Sequence, residues 1–217
     1  EPAFRARQVY EALTRGLVTD FADVTTLPVR LRATLADILT PVSLEEVETR
    51  ASRRGDASKT LVATADGHPV EAVLMLLPRR ATVCVSSQVG CAVGCAFCAS
   101  GRLGLRRDLT AEEMADQVLA AQRALRPRGR HVTNVVVMGM GEPFHNYDET
   151  LRACRLLNDP DGFGLAARAI SVSTAGVVPG IDRFAGEPLQ LNLAVSLHAA
   201  TDRLRDVINK PIASEDL

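Results

Sequence analysis

The stretch ATVCVSSQVGCAVGCAFCASGRLG, residues 81–104, begins as a strand and ends as a loop that holds three of the chain's five cysteines. Cys91, Cys95 and Cys98 follow the spacing C-x3-C-x2-C. A disulfide framework needs an even number of thiols, and a structural metal site usually takes four ligands. Thiolates suit zinc and iron–sulfur clusters. A cubane has one more iron than this loop has cysteines. One iron is therefore left open to a substrate or cofactor, as a catalytic zinc keeps one position open. Gly90, Gly94 and the small Ala92, Ala96 and Ala99 let the loop wrap closely and aim amide N–H groups at sulfur. Two other readings stay open: a structural zinc completed by Cys84 or a histidine, and cysteines buried as small apolar residues. Three within so short a loop are hard to assign to packing alone.

Downstream, the pattern of strand, loop and helix repeats. TAEEMADQVLAAQRAL (110–125) reads as a helix, with Thr110 and Glu113 as its capping box. NVVVMG (134–139) is a strand of the buried type, followed by a helix around Glu149 to Leu157. AISVST (169–174) is the next strand, with a short helix near Ile181, and LNLAVSL (191–197) leads into the helical DRLRDVI (202–208). Strands alternating with helices imply a parallel sheet of βαβ units. The expected fold is α/β, a partial TIM-like (βα) barrel over 79–217 with four βα units. Its site is expected at the C-terminal ends of the strands.

Upstream, residues 1–42 read as a small helical unit. Val9, Tyr10, Leu13 and Leu17 recur at helical spacing, and a second helix runs from Val29 to Leu39, closed by Pro41. Residues 43–78 read as a linker and a β-hairpin, KTLVATADGHPVEAVLML (59–76) turning at Asp66-Gly67. Residues 43–51 fall between two patterns: SLEE fits a capping box, while Val47, Thr49 and Ala51 alternate as in a strand.

Composition narrows the class. The 217 residues are 47% hydrophobic and 24% charged with a net charge of −1, so any nucleic-acid contact must come from local basic patches. No run of eighteen apolar residues exists, and the N-terminus has no apolar signal core, which places the chain in the cytoplasm and away from membranes. Thiols stay reduced there, so the cysteines point to metal or redox chemistry.

Each remaining polar cluster has an ordinary reading beside a chemical one. MGMGEP (138–143) ends a strand with two glycines and an acid, a turn that lets the backbone approach a ligand and lets Glu142 hold an ammonium. Ser173, Ser196 and His198 sit at the ends of the next two strands and by themselves are ordinary loop residues. Glu71 by itself is an exposed strand carboxylate, Cys84 a small apolar strand residue, and Cys154 a helix core position. Arg102, Arg106 and Arg107, with Arg126, Arg128 and Arg130, form two basic groups that are either solvated faces or phosphate holders.

CVSSQVGCAVGCAFCASG, NVVVMGMGEP, SVSTAGVVPGI and LAVSLHA, in this order and with aromatic Phe97 before the last cysteine, resemble the RlmN/Cfr family of radical S-adenosylmethionine (SAM) methyltransferases. The resemblance covers nearly the whole chain. It implies a [4Fe-4S] cluster on Cys91, Cys95 and Cys98. It also implies SAM bound by Gly141, Glu142, Ser173, Ser196, Leu197 and His198, with Asn146 as support. The implied reaction methylates carbon 2 of an adenine in 23S rRNA, and of an adenine in tRNA, through a methyl-cysteine. In it, Glu71 is the general base and Cys84 forms a disulfide that releases product. A sibling activity at carbon 8 is the nearest alternative. A cluster-bearing electron carrier, which would need a fourth cysteine nearby, and a zinc RNA-binding module are further ones. The family also implies an electron donor such as flavodoxin or ferredoxin, a monomer, and RNA contact by the helical residues 1–42. The family's methyl-carrying cysteine is expected beyond residue 217, its partial barrel has more βα units, and the last residues depart from its Pro-Ile-Asn run. These departures lead to the expectation of a truncated chain that holds cluster and cofactor without completing methyl transfer.

Overall fold

β-Branched residues at alternate positions, punctuated by turns, make this a sheet protein at its centre, as a computed structural model describing residues 2–209 shows. A seven-stranded sheet has the order β1-β2-β3-β4-β7-β8-β9. Strands β1 (Leu44–Ala51), β2 (Ala57–Thr64), β3 (Pro69–Leu77) and β4 (Arg80–Val85) form an antiparallel meander. From β4 onward the pairing turns parallel, through β7 (Asn134–Val137), β8 (Ile170–Thr174) and β9 (Asn192–Val195). The hairpin is thus continuous with the parallel sheet, and β4 is the strand at which direction changes.

The stretch 43–51 becomes strand because its strand partners lie in β2. Thr49 pairs with Thr60, their hydroxyls 2.8 Å apart, and one irregularity of register falls between Glu46 and Glu48. The capping-box alternative fails because the Ser43 hydroxyl is bonded to Asp116 of the long helix α4 (Ala111–Leu125).

One sheet face is covered by α4 and α5 (Tyr147–Asn158). Ala81, Val83, Val85, Val135, Val137, Ile170 and Val172 point that way and pack against Val118, Leu125, Leu151 and Leu157. Parallel strands with both faces covered are apolar throughout. Here burial alternates along β4, β7 and β8, and the residues between, such as Cys84, Val136, Ser171 and Ser173, are only half-buried. That second face is therefore the open one.

The remaining elements frame this sheet. Helix α4 begins with the expected capping box of Thr110 and Glu113. A two-residue ribbon, β5 (Gln88–Val89) with β6 (Arg107–Asp108), closes the cysteine loop, inside which lies the short α3 (Ala99–Leu103). Helices α6 (Val178–Ala185) and α7 (Asp202–Ile208) follow β8 and β9. Before the sheet, α1 (Phe4–Thr14) and α2 (Val29–Ile38) pack around Phe21, Val24 and Leu27. That helical pair is held to the barrel side by Arg15 donating to the Gly162 carbonyl (3.0 Å) and Arg126 donating to that of Gly16 (2.6 Å). No described helix is long and apolar enough to cross a membrane. Residues 210–217, which carry the departure from the Pro-Ile-Asn run, lie outside the described residues.

Leu151, 1% exposed, is one of the α5 side chains that meet the sheet core. Leu151→Ala is expected to cost about 2–5 kcal/mol by removing contacts and leaving a cavity. Urea unfolding should show a lower midpoint with an unchanged slope.

Candidate active site

At Val85 the chain leaves the sheet without leaving the interior, so its next peptide groups need partners. Gln117 of α4 supplies them for Ser86, accepting from its N–H (2.8 Å) and donating to its carbonyl (3.0 Å). The Ser86 hydroxyl donates to the Glu71 carbonyl (2.6 Å) and accepts from the Met140 N–H (2.8 Å). Asn146 donates to the carbonyls of Ser87 and Leu109, both at 2.8 Å. These two carbonyls stand at the two roots of the cysteine loop. Asn146 is thus a support of the loop.

Within the loop Cys91 and Cys95 are buried and Cys98 half-buried, packed with Val93 and Ala175, and all three thiols are free. Gly90, at φ +80°, could carry no side chain, because a Cβ would stand 1.8 Å from the Gly104 carbonyl oxygen. Burial pushes the Cys91 and Cys95 thiols up, and the nearby Glu142 carboxylate adds to the push. The Ala96 N–H donates to the Ile208 carbonyl (2.8 Å), which sets α7 against the loop. Phe97, 60% exposed, meets the His198 ring edge-on with centroids 4.9 Å apart.

The ends of β7, β8 and β9 face this loop. Glu142 is buried, and its carboxylate accepts from the N–H groups of Phe144 (3.0 Å) and Ala175 (2.6 Å), tying the end of β7 to that of β8. Two amides leave lone pairs for a further donor. The Ser173 and Ser196 hydroxyls lie 3.3 Å apart across β8 and β9. Leu197 is exposed beside them, and His198, at φ +61°, has its Nδ1 2.9 Å from the Asn209 amide. The SAM-site and cluster-site residues named from the sequence thus come together from three strand ends and one loop.

Glu71 and Cys84 share the open sheet face. Cys84 is opposite Val73, and Glu71 stands two residues further along β3, toward the end at which the loop leaves. Burial raises the Cys84 thiol. The Glu71 carboxylate is half-exposed and paired with Lys59 of β2 at 2.7 Å. Nothing in the sequence singles out Lys59, since its partner is set by the register of β2 on β3. Cys154 is fully buried in the main core, its thiol pushed up to about 12 by burial.

The basic groups divide. Arg107 is not free for phosphate: it is paired with Asp66 of the hairpin turn (2.8 Å) and with Glu113 (2.7 Å). Arg126 is bonded to Gly16, and Arg130 to the carbonyls of Leu77 (2.7 Å) and Arg80 (2.9 Å). Among the described residues no side-chain bond engages Arg102, Arg106 or Arg128.

Among the described residues no three Cys, His, Asp or Glu side chains converge on a point that would hold a single ion. A cubane sets a different demand, since its thiolates sit on separate irons. The soft donor set in a shielded loop fits that group.

The Radical SAM superfamily model matches residues 85–217. The chain belongs to the radical SAM superfamily. Membership implies a [4Fe-4S] cluster and SAM. The chain is 49% identical over 212 residues to a probable dual-specificity RNA methyltransferase RlmN from Chloroflexus aurantiacus, covering 94% of this chain and 56% of that protein. It is 43% identical to a ribosomal RNA large subunit methyltransferase N from Nitrosopumilus maritimus, covering 93% of this chain and 60% of that protein. Among solved structures it is similar to a radical SAM methyltransferase from Sphaerobacter thermophilus, at 50% identity and a TM-score of 0.94. That match covers 98% of this chain and 64% of that one. The chain thus spans little more than half the length of its curated relatives, and its radical SAM sheet is a partial barrel.

The Arg107 guanidinium and the Thr64 hydroxyl hold the Asp66 carboxyl well below the usual carboxylate range. A group depressed on folding stabilises above its unfolded value of about 3.9 and loses that contribution as pH falls through the folded value. Asp66→Asn should therefore lower the thermal midpoint at pH 7, and the difference from the parent chain should shrink below about pH 4.

Proposed function

We propose that the chain forms the cofactor-binding part of a radical SAM RNA methyltransferase acting on carbon 2 of an adenine in 23S rRNA, and of an adenine in tRNA. The convergence of the cysteine loop with Glu142, Ser173, Ser196 and His198 on one open mouth carries this reading. The names of the relatives, as RNA methyltransferases, support the substrate class.

In this reading Cys91, Cys95 and Cys98 would hold the cluster through their thiolates. The free lone pairs of Glu142 receive the ammonium of the methionine moiety, and Gly141 lets the backbone lie close to it. Ser173, Ser196, Leu197 and His198 line the nucleoside side. When bound, reduced cluster and SAM supply one-electron cleavage of the sulfonium, a radical route suited to an electrophilic amidine carbon that resists polar methyl transfer. Glu71 takes the proton from the adenine carbon and stands on the open face, where a base can approach within hydrogen-bond reach. Cys84 stands on the same face as the thiol that would attack the sulfur of a methyl-carrying cysteine elsewhere in the protein. The S–S bond forms as that sulfur's bond to the transferred carbon breaks and the electron pair leaves on the carbon. Arg102 and Arg106, without side-chain partners among the described residues, hold RNA phosphate, and the α1–α2 unit gives a second contact.

Anaerobic reconstitution of the 217-residue chain with iron and sulfide tests the cofactor reading. A brown protein is expected, with a cluster signal that shifts on adding SAM and is lost in Cys98→Ala. Colourless protein with stoichiometric zinc overturns it. Mass spectrometry of adenine methylated by an enzyme containing this core decides between carbon 2 and carbon 8.

A further inference from the structure

Gln88 is fully buried, and its side chain reaches two separate pieces of the site. Its Oε1 accepts from the Glu142 N–H at 2.8 Å, and its Nε2 donates to Asp108 Oδ1 at 2.7 Å. Asp108 is its partner in the β5–β6 ribbon that closes the cysteine loop, and Glu142 lies in the turn after β7. The backbone follows the same line: the Gln88 N–H donates to the Met140 carbonyl at 3.2 Å. Gly141, at φ +103°, lies so close that a Cβ there would stand 2.6 Å from the Gln88 Cβ.

We propose that Gln88 is a positioning residue that fixes the cysteine loop against the Gly141–Glu142 turn, and so fixes the loop's thiols relative to the cofactor's amino-acid end. The inference rests on the reading of that turn and loop as the SAM and cluster sites. The neighbours leave only one orientation of the amide. A backbone N–H must face an acceptor, so it faces Oε1, and a carboxylate must face a donor, so it faces Nε2. No other side chain of this length meets both demands. Glutamate would set a second carboxylate against Asp108. Leucine would fill the space and leave the buried Glu142 N–H without its acceptor.

Gln88 differs in this from Gln117 and Asn146. Those two hold the loop roots to the body of the sheet, whereas Gln88 sets the distance between loop and turn. Its loss should therefore alter the site before it alters the fold. Cys154, deep in the main core, reports on the fold in the same experiment.

The test measures iodoacetamide alkylation of each cysteine in the metal-free 217-residue chain by peptide mass spectrometry. Gln88→Glu should raise the alkylation rates of Cys91, Cys95 and Cys98 about tenfold, as loss of one buried hydrogen bond would. Cys154 should stay protected. Adding Asp108→Asn to Gln88→Glu restores a donor facing an acceptor, and the rates should return to within about threefold of the parent. Gln88→Leu is the second variant, used alone if Gln88→Glu exposes Cys154. It should raise the same three rates, and Asp108→Asn should not rescue it. Unchanged loop rates in the folded variants, or no rescue in the Glu–Asn pair, overturn the proposal.

A second arm uses the reconstituted chain. The SAM concentration that half-shifts the cluster signal should rise about tenfold in Gln88→Glu and return in the pair. If the parent chain holds no cluster, the cofactor reading fails. The alkylation arm needs no cluster and still decides whether Gln88 positions the loop.

Discussion

The site depends on two side-chain amides that close the loop at its roots. Strand β4 delivers the chain into the interior at Val85, and a loop starting there would leave peptide groups of residues 86 and 109 buried and unpaired. Gln117 and Asn146 satisfy them from α4 and from the start of α5. Each unpaired buried group would cost about 1–3 kcal/mol, so loop and helices are coupled by a sum comparable to much of a domain's net stability. The loop itself has little apolar material to hold it, and its shape is inherited from this frame. Small residues are then an asset in the loop, because conformational freedom is restrained at the ends.

The same frame explains the two-faced sheet. Covering one face with α4 and α5 consumes the valines at every second position of β4, β7 and β8. The positions between are released from packing and can be polar, which is how Glu71, Ser171, Ser173 and Ser196 come to occupy one side. Parallel strands are normally buried on both faces, and the alternating burial here records a face kept open. Glu142 adds a crosswise tie, since its carboxylate holds the N–H of Ala175 at the end of the next strand. Backbone ends that carry the site are thereby kept in register.

Much of this was legible in the sequence, and the illegible parts share a cause. Cys91, Cys95 and Cys98 announce themselves by residue type and close spacing within one loop. Strands β7 and β8 are legible from β-branched runs, and α4 from its capping box. The identity of 43–51 is not local: it is settled by Thr60 across a strand pair and by Asp116 some seventy residues on. Lys59 carries no motif, and its pairing with Glu71 exists only once β2 lies on β3. Gln88 sits inside a recognisable motif, but nothing in the motif says that its amide spans two elements. Pairings across elements are written in the fold, whereas spacing within an element is written in the chain.

The arginines show most plainly how far composition can mislead. Six of them flank the cysteine loop and α4, a density that suggests a surface for RNA. Arg107 is instead committed to Asp66 and Glu113, which pins the hairpin turn to the loop, while Arg126 and Arg130 hold backbone carbonyls of other elements. A guanidinium in a bidentate pair has little to gain from a phosphate, because it must first give up partners of equal quality. Three of the six arginines are thus spent on holding elements together, and of these three only Arg107 acts at the cysteine loop. With a net charge of −1 the chain offers little bulk attraction to a polyanion, and among the described residues the uncommitted positive charge next to the cysteine loop is that of Arg102 and Arg106.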